Sequence, residues 1–371
     1  MKFKTDRAKL HQAASKLLSV VPPKSTLPIL SNILFDLGRD QLEMKVTDLD
    51  VSMTATLKVD VQKTGSVAVP AKVFYEIVRE LPDFELEITS HENRMEIRCG
   101  SGVYKMSGFA ADDFPKMPEV HIARQIKMSA PILIRMIKKS LFAISRDETR
   151  PALNGVLWQT TEGGFNMVAT DGHRLAKVTR NDIKLTGYTK DIIVPPKVLD
   201  NLIKLVGEGS GEIGVIINEN SIVFVIEGAI LTSRLMEGPY PNYEQVIPRD
   251  NNKKATMEKE LLQAAVRRVS ILSNSLTHQV KFGLKEDELE LLATNFDFGG
   301  EAKENLKIGY KHEAMDIGYN ANYITEILKQ CDGEDVVFEL NTPTSAAIVK
   351  STKKEENEDY FFLVMPLRLL E

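Results

Sequence analysis

Two hydrophobic spacings take turns along the chain. Residues 6–18 place Leu10, Ala13, Ala14, Leu17 and Leu18 on one helical face. Residues 131–146 do likewise with Leu133, Ile137, Leu141 and Ile144, and residues 258–270 with Leu262, Ala265, Val266 and Val269. A second set of helices is predicted to open at Pro70 and Pro195, since proline in a first turn gives up no intrahelical hydrogen bond. Between and after these segments lie short period-two runs, LEMKVTD, MEIRC and SIVFVIE among them, which read as strands.

The pattern repeats. STLPILSNILF (25–35) and ETRPALNGVLW (148–158) align Thr26, Pro28, Leu30 and Leu34 with Thr149, Pro151, Leu153 and Leu157, each 123 positions on. Nineteen residues past the proline, both copies carry Thr-Asp, at 47–48 and 170–171. ELLATN (290–295) is a weaker third copy of NMVATD (166–171). VPAKVFYEIVREL (69–81), VPPKVLDNLIKLV (194–206) and YNANYITEILKQC (319–331) form another series, with Asn320 in place of the proline. Phe114-Pro115 and Tyr240-Pro241 form a last pair, 126 apart. The chain therefore reads as a triplicated module of about 124 residues. Each copy is expected to be α+β, two helices on one face of a largely antiparallel sheet, with boundaries near 120–127 and in the polar stretch 250–256.

Composition changes this picture little, and charge changes it more. The 43% apolar and 27% charged residues describe a soluble globular chain, with no uncharged run of the roughly 18 residues that a membrane helix needs. MKFKTDRAKLHQ has no apolar signal stretch, which predicts the cytoplasm. Cys99 and Cys331 lie far apart, so neither a disulfide framework nor a zinc ribbon is expected. The net charge of −5 argues against a simple nucleic-acid binder. Yet residues 131–150 hold five basic side chains (Arg135, Lys138, Lys139, Arg146, Arg150) against Asp147 and Glu148. Lys72 and Lys197 stand two residues after the repeat prolines, and Lys9, Lys16, Lys24, Lys204, Arg267 and Arg268 sit on or beside predicted helices. These are either ordinary solvated faces or a sorted distribution, basic helices inside an acidic exterior, able to hold phosphates weakly. Aromatic residues do not interleave with them, so base stacking is not indicated.

The search for chemistry is mostly negative. No Gly-Lys dipeptide exists to make a P-loop, GEGSG (207–211) follows a helix rather than a strand, and the six histidines are scattered. Asp171 beside His173 suggests half of a catalytic triad. Thr-Asp recurs in the first copy with Leu49 where Gly172 stands, so a side-chain-bonded turn explains the pair better. Gly172, His173 and Arg174 are then the additions peculiar to the second copy. The apolar C-terminus, FLVMPLRLLE (362–371), is either a last edge strand or a Met- and Leu-rich lip on a groove.

Three equal α+β units, ATDGHRLA in the second and VMPLRL at the end together resemble the bacterial sliding-clamp family, the beta subunits of replicative DNA polymerases, over the whole chain. The resemblance implies three tandem DNA-clamp modules, 1–124, 125–252 and 253–371. It implies a homodimer joined head to tail in a ring, with helices lining a hole around duplex DNA and antiparallel sheets outside. It implies no catalysis and no cofactor or metal. The implied partners are double-stranded DNA held without regard to sequence, the replicative polymerase, the clamp loader, repair polymerases and other proteins carrying a clamp-binding motif, with no membrane. A peptide pocket between the second and third modules would use Leu153, Thr170, Gly172, His173, Arg174, Leu175, Pro241, Val246, Leu363, Met365, Pro366, Leu367 and Arg368, the apolar ones receiving Leu and Phe anchors. Lys24, Arg150 and Lys197 match DNA-contact positions, and Lys72 joins them through the repeat. Tyr104 and Met106 would meet Ile271 and Leu272 of the other chain.

Departures accompany the match. Gln245 replaces an arginine, Pro151 and Ala152 replace two tyrosines, Glu301 and Glu304 around Lys303 are what is left of an acidic cluster, and Leu370-Glu371 extend the usual terminus. Two rival readings stand beside the clamp: a peptide-binding scaffold that does not encircle DNA, and an enzyme using Asp171 and His173.

Overall fold

A computed structural model describes residues 1–118, 120, 125–184, 190–207, 209, 211–295 and 299–369. Two compact units emerge, Met1–Ile134 with Val194–Leu235 and Arg135–Ile193 with Met236–Glu371.

In the first unit, a five-stranded sheet runs Asp60–Lys63 (β5), Lys2–Asp6 (β1), Glu85–His91 (β7), Arg94–Cys99 (β8), Gly102–Ser107 (β9). An eight-stranded sheet runs Gly65–Pro70 (β6), Asn32–Leu37 (β2), Gln41–Thr47 (β3), Val51–Lys58 (β4), Ala229–Arg234 (β17), Ser221–Ile226 (β16), Glu212–Ile217 (β15), Ile126–Ser129 (β10). Helix α1 (Arg7–Leu18) opens at Asp6, whose side chain accepts from the Lys9 amide, and buries Leu10, Ala13, Ala14 and Leu17. Helix α2 (Ala71–Glu80) sets Phe74 edge-on to Phe35, 4.8 Å between centroids. Burying such a ring contributes about 1.5–3 kcal/mol. Helix α3 (Ala130–Leu141) begins in this unit and continues into the other, while α4 (Pro196–Val206) closes the first.

The second unit repeats the scheme. Its eight-stranded sheet runs Ile192–Val194 (β14), Val156–Thr161 (β11), Gly164–Thr170 (β12), Arg174–Arg180 (β13), Glu358–Val364 (β25), Ala347–Ser351 (β24), Asp335–Leu340 (β23), Lys253–Glu258 (β18). A four-stranded sheet runs Gly300–Lys307 (β21), Glu288–Asn295 (β20), Gln279–Lys285 (β19), Met315–Asn320 (β22). Helices α5 (Lys259–Ser270) and α6 (Ala321–Gln330) pack together and on this sheet. Strand pairing within the modules and across the joins between them is antiparallel, so each module is α+β with its pairing carried into the next.

Each eight-stranded sheet is two four-stranded halves joined edge to edge. One join is β4 to β17, with Met53 opposite Leu231, and the other is β13 to β25, with Leu175 opposite Leu363. In chain order β21 holds the place of β4 and β13, and β9 the place of β17 and β25. Among the described residues those two strands have a neighbour on one side only. β21 alternates exposed charge with half-buried positions, the usual protection of an open edge.

Several expectations need correction. The helix expected over 131–146 stops at Leu141, because the Phe142 carbonyl accepts from Arg174 Nη2 (2.7 Å) and the chain turns there. Pro70 and Pro195 occupy the N-cap, one residue before the first turn, and Pro196 takes the first helical position. Asn320 does at α6 what proline cannot, accepting from the Asn322 and Tyr323 amides. Residues 253–256 of the expected second boundary form part of β18, and 121–124 of the first lie outside the described residues. The C-terminal run is not an edge strand: β25 sits inside its sheet between β13 and β24. No helix among the described residues is long and apolar enough to cross a membrane.

Candidate functional site

The site grows from the turn between β12 and β13. Thr170 Oγ1 accepts from the Gly172 amide (3.1 Å) and donates to the Arg174 carbonyl (2.6 Å), while Asp171 Oδ1 accepts from the His173 and Arg174 amides (2.9 Å each). Gly172 holds φ at +91°, which its missing Cβ makes free of strain. Thr47 and Asp48 build the same turn in the first module, and there Leu49 is forced to φ +82°. The pair is thus a scaffold turn. Its carboxylate is committed to the main chain and to Arg174 Nε (3.1 Å), and the His173 ring stacks on Tyr323. That geometry offers no Asp–His relay.

Arg174 is buried. Its guanidinium bonds Asp171, Glu326 and the Phe142 carbonyl, and lies 4.6 Å from the Tyr323 ring centroid and 5.2 Å from that of Phe142. It ties the turn to α6 and to the end of α3.

Behind the turn an apolar cluster gathers Leu157, Val168, Leu175, Ile193, Tyr243, Ala346 and Leu363, with Ala152, Met236, Tyr240, Ile247 and Phe361 partly buried against it. Leu157, Ile193 and Tyr243 also line a groove of about 690 Å³, whose outer wall is Gly238 to Glu244, including Pro241. Tyr243 Oη donates to Gln159 Oε1, and Gln159 Nε2 donates to Asp191, 2.7 Å each. Burial first, and the nearby Glu244 and Asp191 charges second, push the Tyr243 hydroxyl up to about 12, so it stays a neutral donor. Burial likewise raises Tyr240 well above its usual range.

The thirteen pocket residues proposed from the sequence have different surroundings, and Pro241 lines the groove just described. Leu175 and Leu363 belong to the apolar cluster, Leu153 is buried, and Val246 is 55% exposed. Met365 is bound to the turn through its amide, which donates to the His173 carbonyl (2.8 Å). Pro366, Leu367 and Arg368 line a second groove of about 810 Å³ with Gly318, Pro343 and Thr344. Leu370 and Glu371 lie outside the described residues.

The basic residues sort differently from expectation. Lys139 is 3% exposed, and Arg135 and Lys139 both bond Asp332, with Arg135 also on Glu358. Burial alone would raise the Asp332 carboxyl, but hydrogen bonds from Arg135, Lys139 and Tyr360 outweigh it and hold it at about 2. These two cations belong to a buried network, not a phosphate-facing surface. Lys197 pairs with Asp48, and Arg150 with Asp147 (2.8 Å). Lys72 is 85% exposed and 4.0 Å from Glu76, and Lys24 is exposed. Tyr104 is exposed on β9, Met106 turns inward opposite Met95, and Ile271 and Leu272 follow α5 with Ile271 75% exposed.

Models of the DNA polymerase III beta subunit match the chain three times in succession: its N-terminal domain over 1–118, its central domain over 127–242 and its C-terminal domain over 244–368. The chain belongs to the DNA polymerase III beta subunit family. Beta sliding clamps of Caulobacter vibrioides (33% identical) and Chlamydia pneumoniae (30%) align with all of this chain and with 100% and 99% of their own lengths. Two solved structures each have a TM-score of 0.93 with full coverage of both chains. They are a Bartonella birtlesii sliding clamp bound to griselimycin (31% identical) and the Pseudomonas aeruginosa DNA polymerase III subunit beta (30%). The fold is therefore three tandem clamp domains, and the chain is a sliding clamp, a non-catalytic processivity subunit of DNA replication.

Residues that the sequence reading passed over complete the site: Tyr323, Glu326, Phe142, Gln159 and Tyr243. Tyr323 and Glu326, three apart on α6, share one helical face, and that spacing was the available signal.

Proposed function

We propose that two copies of this chain close head to tail into a ring that encircles duplex DNA in the cytoplasm, its modules running 1–124, 125–252 and 253–371. The ring tethers the replicative polymerase, the clamp loader, repair polymerases and other partners by short extended peptides. One observation carries this reading: β9 and β21 occupy the places of the strands that join modules elsewhere in the chain, and among the described residues each lacks a neighbour on that side. A heterologous contact that uses both edges of each chain closes after two copies when it rotates one chain by half a turn relative to the next. Tyr104, Met106, Ile271 and Leu272 would lie at that contact, and Lys24 would take phosphates together with Lys72, Arg150 and Lys197 once the pairs of those three with carboxylates exchange.

Support for the pocket is the apolar cluster and groove beside the Arg174-braced turn, with Tyr243 and Gln159 as fixed polar groups. The peptide's Leu and Phe anchors would enter there, and Met365 to Arg368 would form the lip. Removing Met365–Glu371 should abolish polymerase stimulation while light scattering still reports twice the chain mass. Undiminished stimulation would exclude the C-terminus from the pocket.

A further inference from the structure

We propose that Gly318 and Gln279 are positioning residues that seat the C-terminal lip and thereby set the affinity of the peptide pocket, an inference that rests on the pocket reading above. The lip leaves β25 at Val364 and is held at three points. The Met365 amide donates to the His173 carbonyl (2.8 Å), the Leu367 amide donates to the Gly318 carbonyl (2.7 Å), and Gln279 Nε2 donates to the Arg368 carbonyl (3.1 Å). Alternate amides of an extended segment point the same way, so 365 and 367 face inward together. Pro366 falls between them, where the missing N–H costs no anchor.

Gly318 is present for space rather than for backbone conformation. A Cβ there would stand 2.7 Å from the Leu367 carbonyl oxygen, 2.8 Å from Gln279 Nε2 and 3.0 Å from Leu369 Cδ2. Real Cβ atoms do not approach a main-chain oxygen so closely, so any side chain lifts the lip from β22. The other modules have the matching bridges Ala68 to Phe109 and Ile193 to Met236, each with a side chain at the repeat position. At this repeat position, held by Ala68, Ile193 and Gly318, the glycine stands in the module whose bridging segment is the lip. The lip follows directly on Leu363 of the apolar cluster and is bonded to the His173 turn, so its loss from β22 reaches the pocket wall.

The test uses the full-length chain, G318V and Q279A, with a fluorescein-labelled hexapeptide bearing leucine and phenylalanine anchors, and amide exchange in parallel. Expected are a Kd raised about tenfold in G318V and about threefold in Q279A, a loss of roughly one or two of the lip's hydrogen bonds. The Leu367 amide should exchange faster in both variants, with Val280, Phe282 and Leu291 still protected. Q279A alters no main-chain atom, so it judges the proposal even if G318V disturbs β22. Unchanged Kd in Q279A despite faster Leu367 exchange overturns the proposal, as does unchanged exchange in both variants. A wild-type chain that fails to bind the hexapeptide counts against the pocket reading itself, and the Leu367 exchange rates still decide whether the two residues seat the lip.

Discussion

Arg174 and Asp332 show how far single residues could be read from the chain. The Thr170-Asp171 turn was legible because its bonds run within four residues and recur at Thr47-Asp48. Arg174 was legible as an addition to the repeat, but its partner Glu326 is 152 positions away, beyond any local pattern. R174K should lose the three-way bonding of the guanidinium to Asp171, Glu326 and the Phe142 carbonyl, and the ring stacking, while keeping the charge. We expect it to weaken partner-peptide binding several-fold, and R174A to weaken it further, both checked by peptide titration. Asp332, Arg135 and Lys139 mark the opposite case: helix-face cations that the charge pattern suggested for phosphate are held in a network with a carboxylate 193 or more positions on. Asp332 titrates at about 2 when folded, against about 3.9 in an unfolded chain. A depressed carboxylate stabilises above the unfolded value and ceases to do so as pH falls from about 4 through 2. D332N should therefore lower stability at pH 7 by roughly 2 kcal/mol, a solvent-screened figure, with the difference from wild type shrinking below about pH 4. Urea midpoints measured from pH 7 to 2.5 check this; a difference that does not change with pH would contradict it.

Elements were the most legible level. Helix faces and alternating strands follow from periodicities of 3.6 and 2, and those are local. The misjudged ends had tertiary causes: a carbonyl taken by Arg174 ended α3 early, and pairing with β23 drew residues 253–256 into β18. What periodicity could not reveal was that sheets run on from module to module, because partner choice at a strand edge is not written in the strand's own alternation. Once β4 and β17, and β13 and β25, are seen to pair, β9 and β21 become the edges that the proposed second chain would occupy. Replacing Ile271 and Leu272 with glutamate at this open end should give monomers, since two buried like charges are brought to each contact. A dimeric mass by light scattering would contradict that assignment.

At the scale of the whole molecule, triplication was legible from the repeat offsets, and it turns a length of 371 into one fold used three times. The net charge of −5 was the misleading quantity, because it averages over surfaces and includes cations such as Arg135 and Lys139 that are neutralised inside. A protein that holds DNA by enclosing it needs only weak, sequence-blind phosphate contacts, so affinity for free ends should be slight and strongly salt-dependent. Enclosure, rather than affinity, is the central claim. The most direct measurement loads the chain with its clamp loader onto a nicked circular duplex, then linearises half of the sample at physiological salt. Retention on the circle with rapid loss from the linear form is the predicted result. Equal loss from both forms, with the peptide pocket still active, would contradict encirclement and leave a peptide-binding scaffold.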